Sequence, residues 1–208
     1  MKSILVHPTY FPSIVQMVAI VQASNVIFEI ADNYQKQTYR NRAYIAHSNG
    51  KLLLNIPIKH NKTGVRLKTN DVLVENSFRW QSRHWKSLQY AYRTSPFFEY
   101  YEDEFQPLFT MPVRSLIEFN MNTLKVLCEC MGVTLNITKT KYYEPDPSVF
   151  DLRFLVVAKT ERIYPLIPYT QVLESKHGFL SNLSVLDLLF NEGTNSLNYL
   201  ESQKLDFN

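Results

Sequence analysis

The sequence predicts an α/β protein: a Rossmann-like βαβ core carrying a β-hairpin insertion and followed by a C-terminal helical region. Three observations predict it. Two short apolar runs, residues 3 to 7 and 26 to 30, flank a segment whose apolar residues recur at helical spacing. Asn49-Gly50 sits between two β-compatible runs. Beyond residue 77, helical periods punctuated by Pro and Gly dominate.

Residues 3 to 7 are short and apolar enough for a buried first strand. Ile14, Val15, Val18, Ala19 and Val21 then trace a helix that ends near Ser24-Asn25, with Pro12 in its first turn. Val26 to Ile30 reads as a second buried strand, which completes the βαβ opening. In such a unit ligands bind beyond the carboxyl ends of the strands, so the expected crevice lies between His7 to Phe11 and Ala31 to Tyr34. Only five Gly occur in the chain and none precedes Gly50, which excludes a dinucleotide fingerprint or a P-loop there. Residues 42 to 45 and 52 to 59 form the hairpin strands, with its turn at residues 48 to 51. Further turns fall at Lys62-Thr63-Gly64 and Asn70-Asp71, with short strands at 65 to 68 and 72 to 75.

A helix over 77 to 94 groups Phe78, Trp85, Leu88 and Tyr92 on one side and Arg79, Arg83, Lys86 and Arg93 on the other. Two readings of the second face stand, a solvated surface and an anion-binding stripe. Helices follow at about 96 to 108 and 112 to 131, with Pro107 and Pro112 as breakers and Gly132 as a stop. Val133 to Thr138 reads as a strand and Glu144 to Pro147 as a rigid loop, while 148 to 159 is ambiguous. A last helix runs from Ser184 to Asn191, ending at Gly193. Ser184 and Asp187 form a capping box. One domain covers 1 to 208, with a β-rich ligand-binding part (1 to 76) and a mainly helical part (77 to 208).

A hydrophobic fraction of 45% with 13 Tyr, 13 Phe and 2 Trp excludes a disordered chain. His7-Pro8 interrupts the opening apolar run before an export signal develops, and the polar residues between Ser13 and Ala31 argue against a membrane span. Cys128 and Cys130 diverge on a helix and have no further ligands at metal spacing, so no metal site is read, and a cytoplasmic location is expected. No cofactor motif is legible. Residues 36 to 93 hold twelve Lys or Arg against Asp71 and Glu75, a balance of +10; with a net charge of +3, the remainder carries −7. That segregation points to an anionic partner for the segment.

His7 is placed to act as acid, base or phosphate partner; the alternative is a hydrogen-bonded structural residue. Asp32 to Lys36 and Tyr39 to Arg42 pack carboxylate, amide, phenol and cationic groups directly after a buried strand. Arg42 and Lys36 suit a phosphate or carboxylate, and Asn41 suits their orientation. A polar loop satisfying its own backbone is the competing reading.

His7-Pro8-Thr9-Tyr10-Phe11-Pro12, Asp32-Asn33-Tyr34-Gln35-Lys36, Asn41-Arg42 and Ile56-Pro57-Ile58-Lys59 together resemble the WbqC-like protein family. Trp85-Lys86, Ser95 to Phe98, Asp151-Leu152-Arg153, Tyr169-x-Gln171 and Gly178 to Ser184 extend the resemblance over nearly the whole chain. Two departures fall in the proposed site. The family commonly has Gln-Pro where this chain has His7-Pro8, and often a second Asp at Ala31. The resemblance implies an enzyme of surface-polysaccharide biosynthesis that transfers acyl or aminoacyl groups to sugars, with Tyr169 and Gln171 among its substrate-binding residues. The opening is also similar to that of pantothenate synthetase-like nucleotidyltransferases, whose His-x-Gly-His motif is absent here.

The expected function is therefore a transferase that holds a phosphorylated or nucleotide-linked small molecule. His7, Asp32 and Lys36 are its candidate catalytic residues. Tyr10, Tyr34, Asn41, Arg42 and Lys59 bind substrate, the tyrosines by stacking. The alternative is a non-enzymatic anion- or nucleic-acid-binding protein, with nucleic acid disfavoured because −7 elsewhere on the chain would repel a long polyanion.

Overall fold

The computed structural model describes residues 2–60, 66–159 and 162–207. Strand β1 (Ser3–Val6) leads to helix α1 (Ile14–Gln22), and β2 (Asn25–Phe28) returns parallel to β1 with Ile4 opposite Val26 and Val6 opposite Phe28. Ile14 to Ile20 of α1 are all buried, so its sequence is apolar on nearly every side. Gln16 is the polar exception. Its amide donates to the His7 carbonyl at 2.7 Å and its carbonyl oxygen accepts from the Thr9 hydroxyl at 2.7 Å, which fastens the loop after β1 to the helix.

Strands β3 (Arg42–His47) and β4 (Gly50–Asn55) form the expected antiparallel hairpin, with φ +105° at Gly50 closing the turn. Strand β4 stops before Pro57, which has no ladder donor to offer. The short strands expected next are single bridges instead, Lys68 to Asn33 and Val74 to Ile58, separated by a 3-10 turn at Thr69–Asp71. Residue 65 and the turn expected at Lys62-Thr63-Gly64 lie outside the described residues.

Helices α2 (Trp80–Tyr92), α3 (Phe98–Thr110) and α4 (Leu116–Met131) pack on one another in sequence order. Leu88 and Tyr92 are buried as expected, but Phe78 precedes the helix and is exposed. Trp80 takes the core position, its indole edge-on to His84 and Phe119. Helix α3 runs past Pro107, because the buried Leu108 and Phe109 hold the next turn and the Pro107 carbonyl still accepts from Met111. Strand β5 (Ile137–Lys139) pairs with β2 and β6 (Phe150–Asp151) with β1, giving a four-stranded parallel sheet in the order β5-β2-β1-β6. This is a Rossmann-like α/β fold, and its sheet draws two strands from the first 28 residues and two from beyond residue 130.

A short α5 (Glu174–His177) precedes α6 (Val185–Glu192) and α7 (Ser196–Ser202), and the last two pack on α1. Ser184 caps α6, its hydroxyl accepting from Leu186 at 3.3 Å. Asp187 does not reach back as a capping box requires, because the Ser184 amide already donates to the Tyr44 carbonyl at 2.7 Å. Its fully buried carboxylate instead accepts from Tyr92 at 2.8 Å, Tyr169 at 2.5 Å and Gln171 at 2.9 Å. Among the described residues no helix is long and apolar enough to cross a membrane.

Candidate functional site

All four parallel strands end at one edge, and the residues that follow them meet there. Glu29, beyond β2, is fully buried: Oε1 accepts from the Ala31 amide and the Thr140 hydroxyl, each at 2.8 Å, and Oε2 lies 3.6 Å from Arg153 Nη1. Arg153, beyond β6, donates to Asp151 through Nε and Nη2 and to the carbonyls of Glu144 at 2.8 Å and Pro145 at 3.0 Å. Its guanidinium also stands 5.2 Å from the centre of the Tyr143 ring. One arginine thus ties the ends of β2 and β6 to the loop after β5.

His7, beyond β1, is 5% exposed and belongs to a second buried network. Its Nδ1 lies 3.3 Å from the Glu29 carbonyl and its Nε2 2.9 Å from Arg40 Nη2. A proton on Nδ1 serves the carbonyl and leaves Nε2 as acceptor. Burial, with the Arg40 charge beside it, holds the imidazole well below its ordinary pKa, so His7 is neutral at neutral pH. Arg40 Nη2 donates to Asp32 Oδ2 at 2.6 Å, and the Thr69 hydroxyl donates to Oδ1 at 2.5 Å.

The strand order reverses between β1 and β6, where a ligand crevice is expected in an open sheet. Residues 38 to 40 narrow that place, pinned by the Tyr39 amide on the Val156 carbonyl at 2.9 Å and by a bridge from Thr38 to Val157, and leave a hollow of about 180 Å³ bounded by Ser13, Val15, Tyr39, Phe154, Leu155 and Val157. The N-terminus of α1 is closed as well. Ile14 and Val15 donate to the Leu183 carbonyl and the Asn182 side chain, both at 2.9 Å, so these amides are not open to a phosphate.

A wider cleft lies toward β2 and β5. One hollow of about 430 Å³ is bounded by Asp32 to Gln35, Arg66, Lys68 and Tyr143. Another of about 600 Å³ shares Lys68 and Tyr143 and adds Ile30, Ala31, Asp71 and Tyr142. The wall at 66 to 70 is held by the Tyr34 amide on the Leu67 carbonyl at 2.8 Å and the Thr69 amide on the Asp32 carbonyl at 2.9 Å. Burial pushes the Tyr34 phenol up to about 12, so it is a neutral donor. Its hydroxyl, Nε and Nη1 of Arg40 and Nε of Arg42 are buried without a hydrogen-bond partner. Unpaired buried donors are rare and costly, and both arginines stand close enough for their charges to act on the Tyr34 phenol.

The residues expected at the site fall into separate places. His7, Asp32 and Tyr34 belong to the sheet edge, and Asp32 and Tyr34 also line the cleft. Lys36 and Lys59 are exposed, and neither lines these hollows. Tyr10 is fully buried, with its hydroxyl 3.0 Å from His84 Nδ1 and its ring stacked on Phe119, so no ring face is open to a ligand. Asn41 donates to the Ile56 carbonyl at 2.9 Å and closes the hairpin base. Arg42 begins β3 and is half-buried. Tyr169 and Gln171 hold Asp187 within the helices, apart from the cleft.

Sequence reasoning missed Glu29, Arg40, Lys68, Tyr143 and Arg153 as site residues. Arg40 lay within the polar run Tyr39 to Arg42 without being given a role, and nothing in the basic segment marked Lys68. That segment also disperses. Lys51 donates to the Ser181 carbonyl at 2.9 Å, while Arg66 and Lys68 reach the cleft. Arg79, just before α2, and Arg83 and Lys86 on it are exposed, and Arg93, just after it, pairs with Glu102 of the acidic α3 at 3.3 Å. Of these four cations, Arg93 has an acid supplied by the neighbouring helix. Among the described residues no group of three His, Cys, Asp or Glu gathers as a metal site.

The WbqC-like family model matches residues 7–161, well over half of the chain. The chain belongs to the WbqC-like protein family. The matched span contains the whole sheet-edge network and the cleft, from His7 to Arg153, whereas Tyr169, Gln171 and Asp187 lie beyond it. The chain is also similar to the uncharacterized protein Rv1507c of Mycobacterium tuberculosis, with 23% identity over 160 residues, or 76% of this chain. It spans 64% of the length of that curated relative. No solved structure matches the chain.

Proposed function

We propose that this WbqC-like protein is an acyl- or aminoacyl-transferase that acts on an amino sugar in surface-polysaccharide biosynthesis and holds a phosphorylated or nucleotide-linked substrate in the sheet-edge cleft. The observation that carries the reading is the meeting of Arg66, Lys68 and the neutral Tyr34 phenol with the buried Asp32–Arg40–His7 network. Cations at the rim attract the phosphate, and the buried guanidinium behind them raises the local potential further. In the transfer, the sugar amine attacks the carbonyl of an activated acyl donor, a thioester or acyl-adenylate. A C–N bond forms, the bond to the donor's leaving group breaks, and the amine proton passes to a base. Asp32 is the residue to receive it, since among His7, Asp32 and Lys36 it alone lines the cleft. Arg40, Thr69 and His7 fix its orientation.

Thermal-shift measurements against nucleotides, coenzyme A, acyl-adenylates and nucleotide-linked amino sugars test the reading. One phosphorylated class raises the melting temperature, and the rise disappears in the Arg66→Ala/Lys68→Ala variant. No shift with any phosphorylated ligand overturns it. The alternative, a non-enzymatic nucleic-acid binder, rests on the exposed Arg79, Arg83 and Lys86; the acidic α3 beside them works against a long polyanion. Steep salt-dependent binding of random oligonucleotides would favour that alternative.

A further inference from the structure

We infer that the cleft is divided to take a nucleoside diphosphate group, with the phosphates on Arg66 and Lys68 and the planar base against Tyr142 and Tyr143. This rests on the reading of the cleft as a site for a phosphorylated substrate and narrows it to nucleotide-linked ones. The two adjoining hollows differ in their aromatic lining. The smaller holds Arg66 and Lys68 with the Asp32 carboxylate, and is bordered by Tyr34, whose buried hydroxyl has no hydrogen-bond partner. The larger has Ile30 and Ala31 at its floor, Lys141 beside the shared Lys68, a single carboxylate at Asp71 and two exposed phenol rings, Tyr142 at 84% and Tyr143 at 50%.

Lys68 and Tyr143 border both hollows, so a ligand with an anionic part joined to a planar part fills them together, while a sugar phosphate leaves the larger one empty. Each volume falls within the range of about 300–1,000 Å³ usual for small-ligand sites. Exposed aromatic rings beside a cationic groove are the arrangement on which bases stack. Asp71 supplies an acceptor for ribose hydroxyls or an exocyclic amine. The Tyr143 ring is held from behind by Arg153, which is itself fixed to Asp151 and to the carbonyls of Glu144 and Pro145.

Titration calorimetry of the full chain with inorganic pyrophosphate, glucose 1-phosphate and the four common ribonucleoside diphosphates tests the division. At least one nucleoside diphosphate binds about tenfold or more tightly than pyrophosphate. Tyr142→Ala removes most of that advantage and leaves pyrophosphate affinity unchanged, whereas Tyr143→Phe, which keeps the ring, retains it. Equal affinity for pyrophosphate and every nucleoside diphosphate overturns the division while the anionic cleft stands. Tighter binding of glucose 1-phosphate than of any nucleotide also overturns it, by giving the larger hollow to a sugar. Binding of none of these probes overturns both the division and the proposed function.

Discussion

Arg40 Nη2 donates to Asp32 Oδ2 across 2.6 Å, and both side chains are almost wholly shielded from solvent. Removing one partner leaves the other charge buried and uncompensated. Arg40→Met should therefore cost about 3–5 kcal/mol, read by urea denaturation, while Lys68→Ala at the exposed rim should stay within about 0.5 kcal/mol. In the Arg40→Met/Asp32→Leu double variant the loss should be smaller than the sum of the two single losses.

Arg153 acts on the cleft wall without lining it. Arg153→Lys keeps a cation near the buried Glu29 but gives up the paired bonds to Asp151 and those to the Glu144 and Pro145 carbonyls. Faster proteolytic cleavage between residues 140 and 148 is expected, together with weaker nucleotide binding and a melting temperature close to that of the parent. An unchanged cleavage rate would show that the loop holds itself.

Burial holds His84 down to about 4, against an unfolded value near 6.5. The unfolded chain therefore binds the extra proton first as pH falls. Stability from this group is complete above about pH 6.5 and is lost progressively toward pH 4, on the order of 3 kcal/mol in all. His7 is shifted the same way, which adds to the slope. Denaturation series between pH 7 and 4.5 should show a shallower decline for His84→Gln, which keeps an acceptor for the Tyr10 hydroxyl.

Gly193 separates α6 from α7 at φ +57°, and a Cβ there would stand 2.5 Å from the Phe97 ring. Backbone strain and overpacking coincide. Gly193→Ala should destabilise the protein by about 2–4 kcal/mol in chemical denaturation, and Phe97→Ala in the same background should recover the part due to the clash.

The βαβ opening and the hairpin were legible because their signals are local: an apolar run, a helical period, an Asn-Gly turn. Helix α7 was not, since Ser196, Asn198 and Ser202 carry no strong period. It forms against α1, with Tyr199 and Leu200 buried and Gln22 donating to the Leu200 carbonyl at 2.9 Å. The same division holds at the site. Asp32 and Tyr34 stood out as a polar run directly after a strand. Lys68 and Tyr143 did not, because they meet only through a strand order that brings residues 30, 68 and 143 to one edge. Tyr10 misled in the opposite way, since its position in the loop after β1 gives no sign that its ring turns inward to His84.

The first helix of the chain depends on residues made late. Its opening amides donate to Leu183 and Asn182, which leave the ribosome long after the helix itself. The strands that flank β1 and β2 also arrive late, at residues 137 and 150. A nascent chain therefore carries the apolar segment of β1, α1 and β2 without its final partners until residues 137 to 183 have emerged, and the cleft edge is completed only once residue 153 has been made.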